Sequence, residues 1–95
     1  MEGIKYDNDK PEYGLLPPFA IEETVKVLTF GAKKYDRENW RKLDDLHNRY
    51  FNAAQRHLWA IKRGETHDPE TGMHHAAHAM CCLLFLLESE INPNL

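Results

Sequence analysis

A chain of 95 residues, 42% hydrophobic and 28% charged, has the make-up of one folded domain and excludes disorder as its organising state. Its net charge of -3 excludes bulk attachment to a nucleic-acid backbone, which needs an excess of Lys and Arg on one face. No basic segment followed by an apolar one opens the chain, and the longest apolar run, Ala76 to Leu87, is broken by His78 and too short for a bilayer, so neither secretion nor membrane insertion is expected.

Residues 1–16 contain Asp7, Asn8, Asp9, Pro11 and Gly14 with no sustained period, which predicts an extended, turn-rich arm; residues 17–95 predict a helical bundle. Pro17 and Pro18 mark the first helix start, because a proline in the first turn sacrifices no hydrogen bond. Glu22 and Glu23 follow at the positive end of that helix dipole. Ile21, Val25, Leu28, Ala32 and Tyr35 recur at spacings of four and three, which is one helix face, and Lys33 and Lys34 suit its C-terminal end. Residues 36–43 read as a charged connection carrying one large apolar residue, Trp40.

A second helix is expected from Asp44 or Asp45 to Arg63, with Leu46, Tyr50, Ala54, Leu58 and Ile61 on its core face and Gly64 as a left-handed cap. A third begins after Asp68-Pro69 or after Gly72 and runs to about Glu90. Its middle is apolar on every side, and a helix without a polar stripe must be buried all round. Two other helices of this length cover only part of it, so a second copy is expected to cover the rest. The fold class is therefore all-α: one domain, a compact bundle of about three helices with an extended arm, completed as a homo-oligomer, at least a dimer. Cys81 and Cys82 are adjacent, so on a helix they diverge by about 100° and form neither a staple nor a Cys-x-x-Cys metal pair; both fit reduced thiols in the cytoplasm.

The loop Gly64-Glu65-Thr66-His67-Asp68-Pro69-Glu70-Thr71-Gly72 carries three carboxylates and a histidine between glycines, more than a turn requires. His74, His75 and His78 follow at helical spacings, and His57 approaches the same place if the second and third helices form an antiparallel hairpin. The functional reading is a divalent-metal site of Glu65, Asp68, Glu70, His75 and His78, holding Mg²⁺ or Mn²⁺ against the phosphates of a nucleotide. The competing reading is capping, with Asp68 as N-cap, Pro69 at the first helical position and Glu70 on the dipole. For the histidines, the competing reading is bonding to a carbonyl or carboxylate at a helix interface. The dipeptide His67-Asp68 also invites comparison with HD-type phosphohydrolases, though a lone dipeptide is a weak signal.

A second set is cationic and aromatic: Lys5, Tyr6 and Lys10 in the arm, then Lys33, Lys34 and Tyr35, then Asn39, Trp40 and Arg56. Lys and Arg grip phosphates, Tyr and Trp stack on bases, and Asn reads a base edge. One compact patch of this kind in an acidic chain suits a small anionic ligand better than a polymer. The bland alternative is a solvated surface with Trp40 tucked against the bundle.

Taken in order, Lys5-Tyr6-Asp7-x-x-Lys10-Pro11, Leu15-Leu16-Pro17-Pro18, Leu28-Thr29-Phe30-Gly31-Ala32-Lys33-Lys34-Tyr35, Asn39-Trp40, Ala53-Ala54-x-Arg56-His57-Leu58, Gly64-Glu65-x-x-Asp68-x-Glu70-x-Gly72 and His75-x-x-His78-Ala79 resemble a phage family, the dATP/dGTP diphosphohydrolase N-terminal domain, loosely grouped with the MazG-like nucleotide pyrophosphohydrolases. The resemblance implies a helical, metal-dependent nucleotide site in a phage-infected bacterial host. MazG-like enzymes hold Mg²⁺ with Glu-x-x-Glu on one helix and Glu-x-x-Asp on another; Glu65-x-x-Asp68 matches the second pair, whereas Glu22-Glu23 lacks the spacing of the first.

Two readings lead. In the first the protein is a purine (deoxy)nucleoside triphosphate pyrophosphohydrolase: Glu65, Asp68 and Glu70 hold the metal, a carboxylate or His57 activates water, and Lys10, Lys34 and Arg56 neutralise phosphate charge. In the second it is a non-catalytic sponge that sequesters a host nucleotide immune signal, as an anti-defence protein would. A structural or regulatory helical module ranks third.

Overall fold

The computed structural model describes residues 2–93. Three helices carry the chain: α1 (Pro18–Tyr35), α2 (Leu46–Lys62) and α3 (His75–Ile91). Two short 3₁₀ turns, Tyr13–Leu15 and Asn39–Lys42, precede α1 and α2, and no strand forms among the described residues. Pro18 begins α1 as its spacing predicted, and Lys33 and Lys34 close its last turn. No described helix is long and apolar enough to cross a membrane.

α3 lies between the other two. Near the α2–α3 connection His57 meets His75, and at the far end Tyr50 meets Phe85 with ring centroids 5.0 Å apart, so α2 and α3 run antiparallel. On the other side Cys81 Sγ donates to the Thr24 carbonyl at 3.5 Å, and Val27 clusters with Ala77 and Cys81. α1 and α2 pack on α3 and scarcely on one another, which leaves a cleft between them floored by α3.

The buried residues are mostly small: Ala54, Ala60, Ala77, Ala79, Cys81 and Cys82, with Val27 and Leu86. Small side chains at the contact let helix axes approach closely. The larger apolar residues of α3 point the other way: Met80, Leu83, Leu84, Leu87 and Ile91 are 40–73% exposed and share one face. One chain thus leaves uncovered the face that the all-round apolar sequence led us to expect a second copy to cover. Burial pushes the Cys81 thiol up to about 12 and Cys82 up to about 11, so both stay protonated at neutral pH.

The arm and the first residues of α1 are exposed along residues 2–20, with Ile4, Tyr6, Tyr13, Leu15 and Phe19 each at least 78% accessible. The radius of gyration is 16.5 Å, against about 12 Å for a compact chain of this length, because the arm projects from the bundle.

α2 ends on a Schellman motif. Glu65 N–H donates to the Ala60 carbonyl and Gly64 N–H to the Ile61 carbonyl, both at 2.9 Å, with Gly64 at φ +93°. A Cβ at Gly64 would meet nothing within 4 Å, so the cost of a side chain there is conformational alone. Gly64→Ala is expected to destabilise the fold by about 1–2 kcal/mol, a fall of several degrees in the thermal midpoint read by circular dichroism.

The start of α3 corrects the capping reading. Asp68, Pro69 and Glu70 lie well before the helix, which begins at His75 with His74 in the cap position. They form a self-bonded loop instead. Asp68 N–H donates to the Met73 carbonyl (2.8 Å), Gly72 N–H to the Asp68 carbonyl (2.7 Å), and His75 N–H to the Thr66 carbonyl (2.9 Å). The Asp68 side chain accepts from Glu70 N–H at 2.8 Å, an Asx turn that competes with helix formation at this point. Gly72, at φ +76°, turns the chain back into α3.

Candidate functional site

The Schellman turn throws the chain out of α2 so that Glu65 lies over the start of α3, and the Asx turn holds Asp68 against α2. His75 Nε2 stands 2.8 Å from Glu65 Oε1 and therefore donates its proton to the carboxylate. That leaves His75 Nδ1 as a lone pair facing His57 Nδ1 at 2.9 Å. Asp68 Oδ2 lies 3.9 Å from the same His57 nitrogen. One donor atom each from His57, Asp68 and His75 falls within 4.8 Å of the others.

His78 takes a supporting place. Its ring stacks on His57, centroids 4.7 Å apart and nearly parallel at 9°, while its Nε2 bonds Thr71 Oγ1 at 2.8 Å. The Thr71 hydroxyl also accepts from Met73 N–H at 3.2 Å and so ties loop to helix. His74 turns away and meets His67 at 4.2 Å between centroids, which removes His67 from the cluster.

This cluster opens onto the cleft, which has a volume of about 1150 Å³. His57, Glu65, Asp68, Glu70, His75 and His78 belong to its lining. Lys34, Tyr35, Asn39, Trp40 and Arg56 line it as well, so most of the cationic and aromatic set joins the carboxylate and histidine set in one cavity. Lys5 and Lys10 do not line it; they stay on the exposed arm. Trp40 packs on Phe85 (4.6 Å, 14° between planes) and carries the Arg41 guanidinium 4.4 Å from its centre. Both ring faces are therefore covered, and Trp40 builds the wall instead of offering a free face for stacking. Tyr35 is 60% exposed, with Lys34 Nζ 5.0 Å from its ring centre.

Sequence comparison points the same way. The family described as dATP/dGTP diphosphohydrolase, N-terminal, matches residues 1–95. The chain belongs to this family. A dATP/dGTP diphosphohydrolase of Salmonella phage PMBT28 is 42% identical over 86 residues, which is 90% of this chain and 29% of that protein. The chain thus spans less than a third of its curated relative. No solved structure matches.

Within this family member, the segments that carried the resemblance on the three helices, the Asn39-Trp40 turn and the loop reach the cleft, whereas the two on the arm do not. Glu65 and Asp68 do not share a helix face: they sit on either side of the histidine pair, Glu65 on the far nitrogen of His75 and Asp68 beside His57. Thr71 and Arg63 also line the cleft and went unsingled in the sequence. Thr71-x-Met73 carries the local signature of a hydroxyl bonding a backbone N–H two residues on, the one signal that marked the former.

Burial, and next the neighbouring His78 and His75, push His57 below the ordinary imidazole range, with Asp68 opposing. Burial likewise lowers His78, against the pull of Asp68. Both rings are neutral in the folded protein at neutral pH, whereas the unfolded chain takes up protons at a pH of about 6.5. Below that value the unfolded state binds more protons, so stability held above it is lost as pH falls. The urea midpoint of chelator-treated protein is expected to drop between pH 7.5 and 5.5, and a His57→Gln, His78→Gln variant to flatten the slope.

Proposed function

We propose that the cleft binds a purine deoxynucleoside triphosphate and hydrolyses it to the monophosphate and pyrophosphate. The carrying observation is that the His57–Asp68–His75 cluster and the cations Lys34 and Arg56 open onto one cavity. The name of the Salmonella phage relative supports the substrate class.

The family resemblance implies a divalent cation, and the donors present fit one: two imidazole nitrogens and a carboxylate oxygen within reach of a single centre. His57, Asp68 and His75 would hold it, and when bound it supplies Lewis-acid polarisation of a phosphate oxygen. Lys34 and Arg56 neutralise the phosphates, Arg through its fork of N–H donors. Tyr35 and Asn39, which also line the cleft, meet the base. Glu70 lines the cleft with no side-chain hydrogen bond among the described residues, and it takes the proton of the attacking water. The new bond joins water oxygen to the α-phosphorus, the α–β bridging P–O bond breaks, and pyrophosphate leaves with that oxygen.

A second reading is favoured by the length of the relative: the name belongs to a protein most of which lies outside the match. Here the same cleft captures a nucleotide, a host signalling nucleotide included, without turning it over. In either reading we propose that a second copy covers the apolar face of α3, and that the site works in the cytoplasm of the infected cell.

Incubation with dATP, dGTP and other nucleotides and cyclic nucleotides, with divalent cation or EDTA, separates the two. Chromatographic conversion to monophosphate only with cation supports hydrolysis. A thermal shift that EDTA leaves unchanged, with the ligand recovered intact, supports capture.

A further inference from the structure

The donor set in the cleft says more about the ion than the family resemblance does. Mg²⁺ takes oxygen ligands almost exclusively and keeps several waters. A site built for it gathers carboxylates. In the cluster His57, Asp68 and His75, two of the three donors are imidazole nitrogens and one is a carboxylate oxygen. Glu65, the other carboxylate nearby, is engaged on the far nitrogen of His75 at 2.8 Å.

Three features show that this cluster is built. His75 is 5% exposed, and the side chains of His57 and Asp68 are 19% and 14% exposed, so the donors are held by packing. The Glu65–His75 bond puts the imidazole proton on Nε2 and presents Nδ1 as a lone pair, the outer-shell carboxylate arrangement that orients metal-binding histidines. The two Nδ1 atoms stand 2.9 Å apart. Neighbouring donors on one ion, with bonds of about 2.0–2.1 Å, stand roughly 3 Å apart or slightly more.

We infer that this site selects a later transition-metal ion that accepts imidazole, of the Co²⁺ or Zn²⁺ class, over Mg²⁺, with Glu65 as a positioning residue for His75. The inference rests on reading the cleft as a cation site and is independent of whether nucleotide is turned over. Imidazole suits such ions, and two histidines with one carboxylate leave positions for phosphate oxygens.

The test uses the full chain, stripped with chelator and dialysed, titrated with CoCl₂ and with MgCl₂ in the absence of nucleotide. Calorimetry is expected to give one Co²⁺ per chain, bound about 100-fold or more tightly than Mg²⁺, and visible absorption to show nitrogen-ligated Co²⁺. Asp68→Asn and His75→Gln, each checked for native helix content, are expected to lose the Co²⁺ spectrum. Glu65→Gln is expected to weaken Co²⁺ by about 10–100-fold and shift its band without loss of helix. Equal affinity for both ions, or a Co²⁺ spectrum unchanged in both Asp68→Asn and His75→Gln, overturns the inference. Tight Co²⁺ binding with every nucleotide recovered intact upholds it and removes the hydrolysis proposal; Mg²⁺-supported hydrolysis without Co²⁺ preference does the reverse.

Discussion

Asp68→Asn is expected to lower nucleotide conversion on the order of 100-fold or more, given that loss of even an outer-shell partner costs about 10–100-fold at metal sites. The substitution is chosen for what it preserves. Asn keeps an oxygen able to accept from Glu70 N–H, so the Asx turn survives, and the backbone bonds to Met73 and Gly72 do not involve the side chain. What it removes is the negative charge 3.9 Å from His57. Product formation from dATP and dGTP, followed by chromatography beside circular dichroism, reads the result. Full activity in a folded Asp68→Asn protein would remove the cluster from the chemistry. Glu70→Gln is the companion: a fall in kcat with nucleotide still bound agrees with a proton acceptor that is not a ligand.

The second large effect concerns assembly. Met80, Leu83, Leu84, Leu87 and Ile91 form one exposed helical face, while the inner face of α3 is made of Ala77, Cys81, Cys82 and the histidines. Each large aliphatic side chain withdrawn from water contributes about 1.5–3 kcal/mol, and a charge placed in such an interface costs more than the contact it replaces. Multi-angle light scattering at micromolar concentration is expected to give at least twice the 11.1 kDa chain mass for the wild type. Leu84→Glu with Leu87→Glu is expected to bring it to the single-chain mass with helix content unchanged. A wild-type protein that already runs at the single-chain mass defeats the proposal.

Much of this fold was legible because its signals are local. Pro17-Pro18, the helical spacing from Ile21 to Tyr35, and the Lys62-Arg63-Gly64 ending each act within a turn or two of chain, and the helices begin and end where expected. The buried face of α1 is nevertheless turned from the expected one, with Thr24 and Val27 buried and Val25 and Tyr35 exposed. The meeting of His57 with the loop was legible too, since two helices joined by a short loop return antiparallel. The role of Asp68 was not. Capping a helix and closing an Asx turn use the same side chain, and the choice was decided by backbone bonds to Met73 and Gly72 that no spacing announces. Which histidines face one another was equally hidden: His74 and His75 are neighbours in sequence, yet one meets His67 and the other His57. The fate of Trp40 depended on Phe85, half the chain away, and so read equally well as a base-stacking residue or a wall.

That wall gives the molecule an optical asymmetry. Of its two indoles, Trp40 lies in the lining of the cleft, stacked on Phe85 and capped by Arg41, while Trp59 is 58% exposed and outside that lining. A molecule entering the cleft changes the surroundings of one chromophore and leaves the other in water. Emission from the unlabelled protein therefore contains a steady solvent-facing component and a blue-shifted one tied to occupancy, and acrylamide, which quenches the exposed ring first, separates them.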